Sequence, residues 1–149
     1  MKKLIATGSI VVVGAAMVVW QMAGASAGLI PYADPKAVSL GAQVYADNCA
    51  SCHGGNLQGE PEWRTRDSDG YLPAPPHDVS GHTWHHPDEQ LIAITTRGTE
   101  AMVGNGYRSR MIGFGESLSQ DEILAALAYI KSTWPPEVIE RHNEMNAGQ

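Results

Sequence analysis

Apolar residues recur at helical spacing in three stretches of the chain and lose any period between them. Across Lys36–Ala50, Val38, Leu40, Gly41, Val44 and Tyr45 gather on one side at 3.6 residues per turn, which predicts an amphipathic helix. Gly41 and Tyr45 lie four apart on that face, and a glycine there, which costs about 1 kcal/mol against alanine, lets a second helix come close. Pro87 at a first helical position, Asp88 and Glu89 in the first turn, Leu91, Ile92 and Ile94 inside and Gly98 at the end predict a short second helix, with His86 in position to cap it. Ser119 followed three residues later by Glu122 forms a capping box for a third. Its apolar stripe is Ile123, Leu124, Leu127 and Ile130, with Tyr129 beside them, and Trp134-Pro135-Pro136 ends it.

The intervening chain reads differently. From Gly54 to His86 glycine and proline interrupt every candidate period, and a structureless stretch of that length fits a compact domain only where it wraps a functional site. A second glycine-rich loop is expected from Thr99 to Gly115, and Glu137–Gln149 holds at most a short polar helix with no identifiable chemistry. No internal repeat is visible.

The amino terminus has its own pattern. Met1-Lys2-Lys3 is basic, Leu4–Met22 is apolar apart from Thr7, Ser9 and Gln21, and Ala25-Ser26-Ala27 has the small-x-small form of an export cleavage site. Two readings stand. The 11-residue apolar run Ile10–Trp20 suits a signal peptide cut after Ala27, whereas Leu4–Ile30 is long enough to span a bilayer, so residues 4–23 can serve as an inner-membrane anchor. Both place the remaining chain in the periplasm or an equivalent exported compartment.

Composition narrows the class. The 149 residues suit one domain, and 43% apolar against 17% charged residues excludes a disordered chain. Sixteen acidic residues face ten basic ones, two of which are Lys2 and Lys3. Such an acidic chain lacks the basic stripe of a general nucleic-acid binder.

The chemistry concentrates at Cys49-Ala50-Ser51-Cys52-His53. Cys-x-x-Cys followed at once by His is the pattern of covalent c-type haem attachment. Two thiols three positions apart can each form a thioether to one porphyrin vinyl group, and the adjacent imidazole reaches the iron. The competing readings fit poorly. A thioredoxin-like redox pair needs a βαβ context, a zinc site needs a second ligand pair, and a structural disulfide is the remaining bland reading. A large flat apolar cofactor would also give the loops a surface to bury against, so folding should depend on it. The candidates for a sixth iron ligand are Met102, Met111, Met145, His77, His82, His85, His86 and His142, unranked by the residues alone.

From Pro35 to Trp134 the chain resembles the class I, mono-haem cytochrome c family. The likeness rests on the Gly41/Tyr45 helix running into Cys49–His53, on Met111 followed by Phe114 and Leu118-Ser119, and on a terminal helix ending Ala128-Tyr129-Ile130. It implies an all-α, small cytochrome c fold in which several helices and long loops wrap one covalent haem c. Its divisions would be an export segment over 1–27, a linker over 28–35, the haem domain over 36–134 and a tail over 135–149. The resemblance further implies Cys49 and Cys52 as thioether anchors, His53 as proximal ligand and Met111 as distal ligand, those last two holding the metal. Gly41 and Tyr45 would pack on the last helix against Tyr129. A proline carbonyl would accept the proximal imidazole N–H; Pro75 fits best, with Pro61 the other choice, and such a bond fixes the ring tautomer. Trp84 resembles the aromatic residues that line the haem pocket. One departure stands out, since the family commonly has proline after the ligand methionine and this chain has Ile112.

The implied role is a one-electron carrier between periplasmic or membrane-bound redox proteins, not an enzyme, because six-coordinate iron leaves no position for substrate. The alternatives are the haem subunit of a dehydrogenase or oxidase complex, and a haem protein with a labile distal ligand that binds small gases or peroxide. The acidic domain would be steered toward basic partner surfaces, unless Arg108 and Arg110 beside Met111 reverse the local sign. His77, Asp78, His82, His85, His86, Asp88 and Glu89 also crowd into thirteen positions, which suits a second metal such as copper or zinc or, more plainly, structural histidines.

Overall fold

The first predicted helix forms as α1 (Pro35–Asn48) in the computed structural model, which describes residues 28–148. Pro35 opens it, and the Asp34 side chain accepts the Lys36 N–H at 2.9 Å, satisfying one of the donors a helix start leaves free. After a break at Cys49 the short α2 (Ala50–His53) carries the second cysteine and the histidine. The terminal predicted helix is α5 (Gln120–Ser132), and both halves of the Ser119–Glu122 capping box are made. That hydrogen bonding holds the Glu122 carboxyl below its usual range.

Helices α1 and α5 pack directly on each other, and Gly41 is the reason they can. A Cβ added there would lie 1.8 Å from the Ala125 carbonyl oxygen, so no larger residue fits without separating the helices. One turn on, the Tyr45 and Tyr129 rings meet with centroids 5.4 Å apart. Around this pair lie α3 (Asp88–Arg97), α4 (Thr99–Val103), α6 (Pro136–Ala147) and a 3₁₀ turn at Thr83–His85. Among the described residues there is no strand, only an isolated antiparallel bridge between Gly98 and Ile112, and the all-α expectation holds.

Three local expectations need correction. Five residues free of glycine and proline, Thr99–Val103, form α4 inside the expected loop. Pro87 is the residue before α3 and not its first, and at that N-cap position it offers no side-chain cap. The polar tail does form a helix, α6, but with His142 wholly buried. Within the stretch expected as a linker, 28–35, Ile30 is 1% exposed and belongs to the core with Leu91, Leu127, Ile130 and Trp134. Burying such a side chain is worth about 1.5–3 kcal/mol.

Asp88, 1% exposed, organises that corner. Its Oδ2 accepts the backbone N–H groups of Leu29 and Ile30 at 2.7 and 3.0 Å, and its own N–H donates to Asn146 Oδ1 of α6 at 2.8 Å. Asn146 thus supplies the cap that Pro87 cannot. Lys131, also fully buried, holds its Nζ 3.8 Å from Asp88 Oδ1 and 4.6 Å from the Tyr32 ring centre. His142 donates through Nε2 to the His86 carbonyl at 2.8 Å, while its Nδ1 receives Asn146 Nδ2 at 3.3 Å, the pattern of a neutral ring. Burial first and Lys131 second keep that imidazole's pKa below its usual value, although the His86 carbonyl and Asp88 pull the other way.

The export segment expected over residues 1–27, with its anchor over 4–23, lies outside the described residues. Among the described residues no helix is long and apolar enough to cross a membrane.

Candidate functional site

The geometry around α2 follows from where its polar atoms go. Cys49 is half-buried, Cys52 is exposed, and both thiols are free. Burial, with the Cys52 thiol second, pushes the Cys49 thiol up to about 11, so it is protonated at neutral pH. His53, on the next position, is buried, and its Nδ1 lies 2.8 Å from the Pro75 carbonyl oxygen. A nitrogen facing a carbonyl must carry the hydrogen, so the ring's lone pair is at Nε2. Burial holds the His53 pKa down, against the opposing pull of the Pro75 bond and Glu60.

Backbone contacts fix the Pro75 carbonyl. The Gly59 N–H donates to the His53 carbonyl at 2.8 Å, the Glu60 N–H to Ala74 at 2.9 Å and the His77 N–H to Leu57 at 2.8 Å. Gly59 has φ +68°, and a Cβ there would lie 2.5 Å from the Pro76 nitrogen, so only glycine lets the two loop strands approach this closely. The Tyr45 hydroxyl donates to the Gly54 carbonyl at 2.8 Å, and burial pushes its pKa upward. Trp134 Nε1–H reaches 57 positions back to the His77 carbonyl at 2.8 Å. Sequence reasoning read Trp134 only as a helix stop; no local signal announces so distant a partner.

The histidines that could serve as a second iron ligand are engaged elsewhere. His77 stacks on His53 itself, with ring centroids 4.0 Å apart, so both rings share one side. His142 spends both nitrogens in the Asp88 cluster. His82 stacks on Trp63, His85 on Trp84, and His86 meets His82 edge-on. The histidine-rich stretch is thus dispersed into stacking pairs, and among the described residues no group of three or more His, Cys, Asp or Glu side chains is arranged to hold a metal ion. Trp84 packs against His85, its Nε1 lies 3.4 Å from the Val79 carbonyl, and the Arg141 guanidinium sits 5.8 Å from its ring centre. These contacts bring it neither to His53 nor to Met111.

Met111 lies half-buried in the loop that returns from α4. Its N–H donates to Ser109 Oγ at 3.0 Å and its carbonyl accepts the Thr99 N–H at 3.2 Å. Beyond it, the Phe114 and Gly115 N–H groups bond the Thr95 and Thr96 carbonyls at the end of α3. Ile112 is 65% exposed, and its N–H makes no hydrogen bond among the described residues. A position that needs no donor tolerates proline or isoleucine alike, so the departure at Ile112 leaves the Met111 backbone undisturbed. Beside it, Tyr71 is sandwiched between the Arg108 and Arg110 guanidinium groups, each 4.2 Å from the ring centre, and Arg110 pairs with Asp67.

Two free thiols at this spacing, with a buried imidazole whose Nε2 carries its lone pair, form a donor set that fits a thioether-linked haem. Among known proteins, neither the curated sequences nor the solved structures compared with the chain give a match. A family model described as Cytochrome c matches residues 38–134. That match runs from early in α1 to the tryptophan just past α5, nearly two thirds of the chain, and with it the chain belongs to the cytochrome c family, which binds haem c covalently.

Proposed function

We propose that the chain is an exported one-electron carrier, anchored to its haem through Cys49 and Cys52, with His53 and Met111 as the axial ligands. The observation that carries this reading is the 2.8 Å contact between His53 Nδ1 and the Pro75 carbonyl, which leaves Nε2 as the coordinating atom. The haem supplies an iron that alternates between two oxidation states. The protein's levers are ligand identity, hydrogen bonding and burial, and here Pro75 sets the donor strength of His53 while the Thr99 and Ser109 contacts hold the Met111 backbone. Held by His53 and Met111 together, the iron would offer no site to a substrate, which favours a carrier over a catalyst.

Partners of acidic surface fit the distal loop. Arg66, Arg108 and Arg110 cluster around Tyr71 and Tyr107 beside Met111, on a chain whose overall charge is negative. Oxidation by anionic hexacyanoferrate should be faster than by a cationic complex of similar potential and should slow as salt is added. Equal rates and no salt dependence would remove this docking assignment.

The central test is Met111→Ala. The variant should lose the weak far-red sulfur-to-iron absorption, fall in reduction potential and bind carbon monoxide when reduced at neutral pH. Spectra identical to the parent exclude Met111 as ligand. Intact mass of product from an export-competent host, equal to residues 28–149 plus one haem, checks cleavage and attachment together.

A further inference from the structure

We infer that His77 is a positioning residue for the proximal ligand, a fixed plate that sets the plane of the His53 ring. The inference rests on His53 being the proximal ligand. The Pro75 bond holds one point of that ring and leaves rotation of its plane open. The His77 face closes it, since the two rings stack with centroids 4.0 Å apart and planes 26° from parallel.

His77 can act as a plate because it is itself held from several sides. Its backbone N–H donates to the Leu57 carbonyl and its carbonyl accepts from Trp134 Nε1, both at 2.8 Å. Its ring Nδ1 lies 2.8 Å from Thr83 Oγ1. The Thr83 hydroxyl lies 3.4 Å from the Pro76 carbonyl, to which it donates, so its oxygen accepts from His77 Nδ1–H and fixes that tautomer. Tyr45 closes the edge, with ring centroids 6.2 Å apart and planes at 73°. An aliphatic side chain would fill the same space but would have no tether to hold its orientation. Burial keeps the ring uncharged, its pKa well below the usual histidine value, so the plate adds no charge beside the iron ligand.

The plane of an axial imidazole relative to the haem nitrogens governs the rhombic splitting of ferric iron and the spread of the haem-methyl shifts. Packing that orients a ligand therefore has a spectroscopic signature that stability alone does not move. Three holoprotein variants separate the contributions. His77→Ala removes the plate, His77→Phe keeps its face without the tether, and Thr83→Val keeps the histidine but frees its ring to turn.

The expected outcome is a shift of the low-spin ferric g values and haem-methyl resonances in His77→Ala. His77→Phe should restore most of it, and Thr83→Val should broaden the g features through a wider range of ring planes. Signals in His77→Ala superimposable on the parent overturn the proposal, as does a His77→Phe shift as large as that of His77→Ala. Where His77→Ala does not accumulate, an unaltered Thr83→Val spectrum overturns it equally. Failure of the underlying ligand assignment looks different, because the unmutated protein would then lack the low-spin ferric spectrum of a histidine-ligated iron.

Discussion

The cluster around Asp88 and the loop that follows His53 are built with different kinds of contact. At Asp88 one buried carboxylate gathers side chains and main-chain donors around itself. Lys131, His142 and Asn146 surround its Oδ1, and the Leu29 and Ile30 N–H groups occupy Oδ2. In the loop, three side chains each end on a main-chain carbonyl: His53 on Pro75, Tyr45 on Gly54, Trp134 on His77. The first arrangement spends its carboxylate internally. The second holds its backbone still and leaves Nε2 of His53 and two thiols unspent, which is what a site for an external group requires. A corner that closes on itself and a loop that closes on a cofactor should respond oppositely to removal of that cofactor.

The largest effect should come from Cys49→Ser with Cys52→Ser. Covalent haem should vanish from a denaturing gel, and amide exchange over residues 54–86 should fall toward the near-zero opening free energies of mobile loops. Protection in α1, α5 and the Asp88 corner should persist. A haem-free protein with native-like protection throughout 54–86 would erase the distinction.

Next comes Asp88→Ala, which strands the buried Lys131 ammonium and two backbone donors. Removing one partner of a buried charge pair costs about 3–5 kcal/mol, read from denaturant midpoints, while the visible spectrum of surviving holoprotein should not change. A loss below about 1 kcal/mol would mean the corner is not closed by charge. Trp134→Phe should cost about 1–3 kcal/mol, because the His77 carbonyl is left without its donor.

The smallest effect is a pH dependence. Folded His142 has a lowered pKa, so below about 6.5 the unfolded chain takes up a proton that the folded one does not. Stability is therefore lost as the pH falls from about 6.5 toward the lower folded value, and levels off beneath it. His142→Gln, whose amide can still donate to the His86 carbonyl, should flatten that slope. An unchanged slope would assign the acid sensitivity to another group.

Local rules made part of the molecule readable. The capping box at Ser119 and the close approach at Gly41 depend on neighbours in sequence or on one missing side chain, and each was foreseeable. The cysteine spacing carried the cofactor, and the resemblance added the proline carbonyl, found at Pro75 and not Pro61. The Asp88 corner was invisible for a physical reason. Asp88 looks like an ordinary acidic residue of a helix first turn, Lys131 like the basic residue of a last turn, and Asn146 like surface. Only a contact between residues far apart in sequence reveals that the first two are buried together. The histidines crowded in sequence take up stacking and edge contacts in space, in keeping with the plainer structural reading.

The reach from Trp134 back to His77 bears on the order of assembly. A chain made from its amino terminus presents Cys49 and Cys52 before Trp134, and until Trp134 arrives residues 74–77 lack their last anchor. A chain cut short just before Trp134 should accordingly accept haem at both sulfurs yet hold the iron's proximal side loosely, coloured but unfinished.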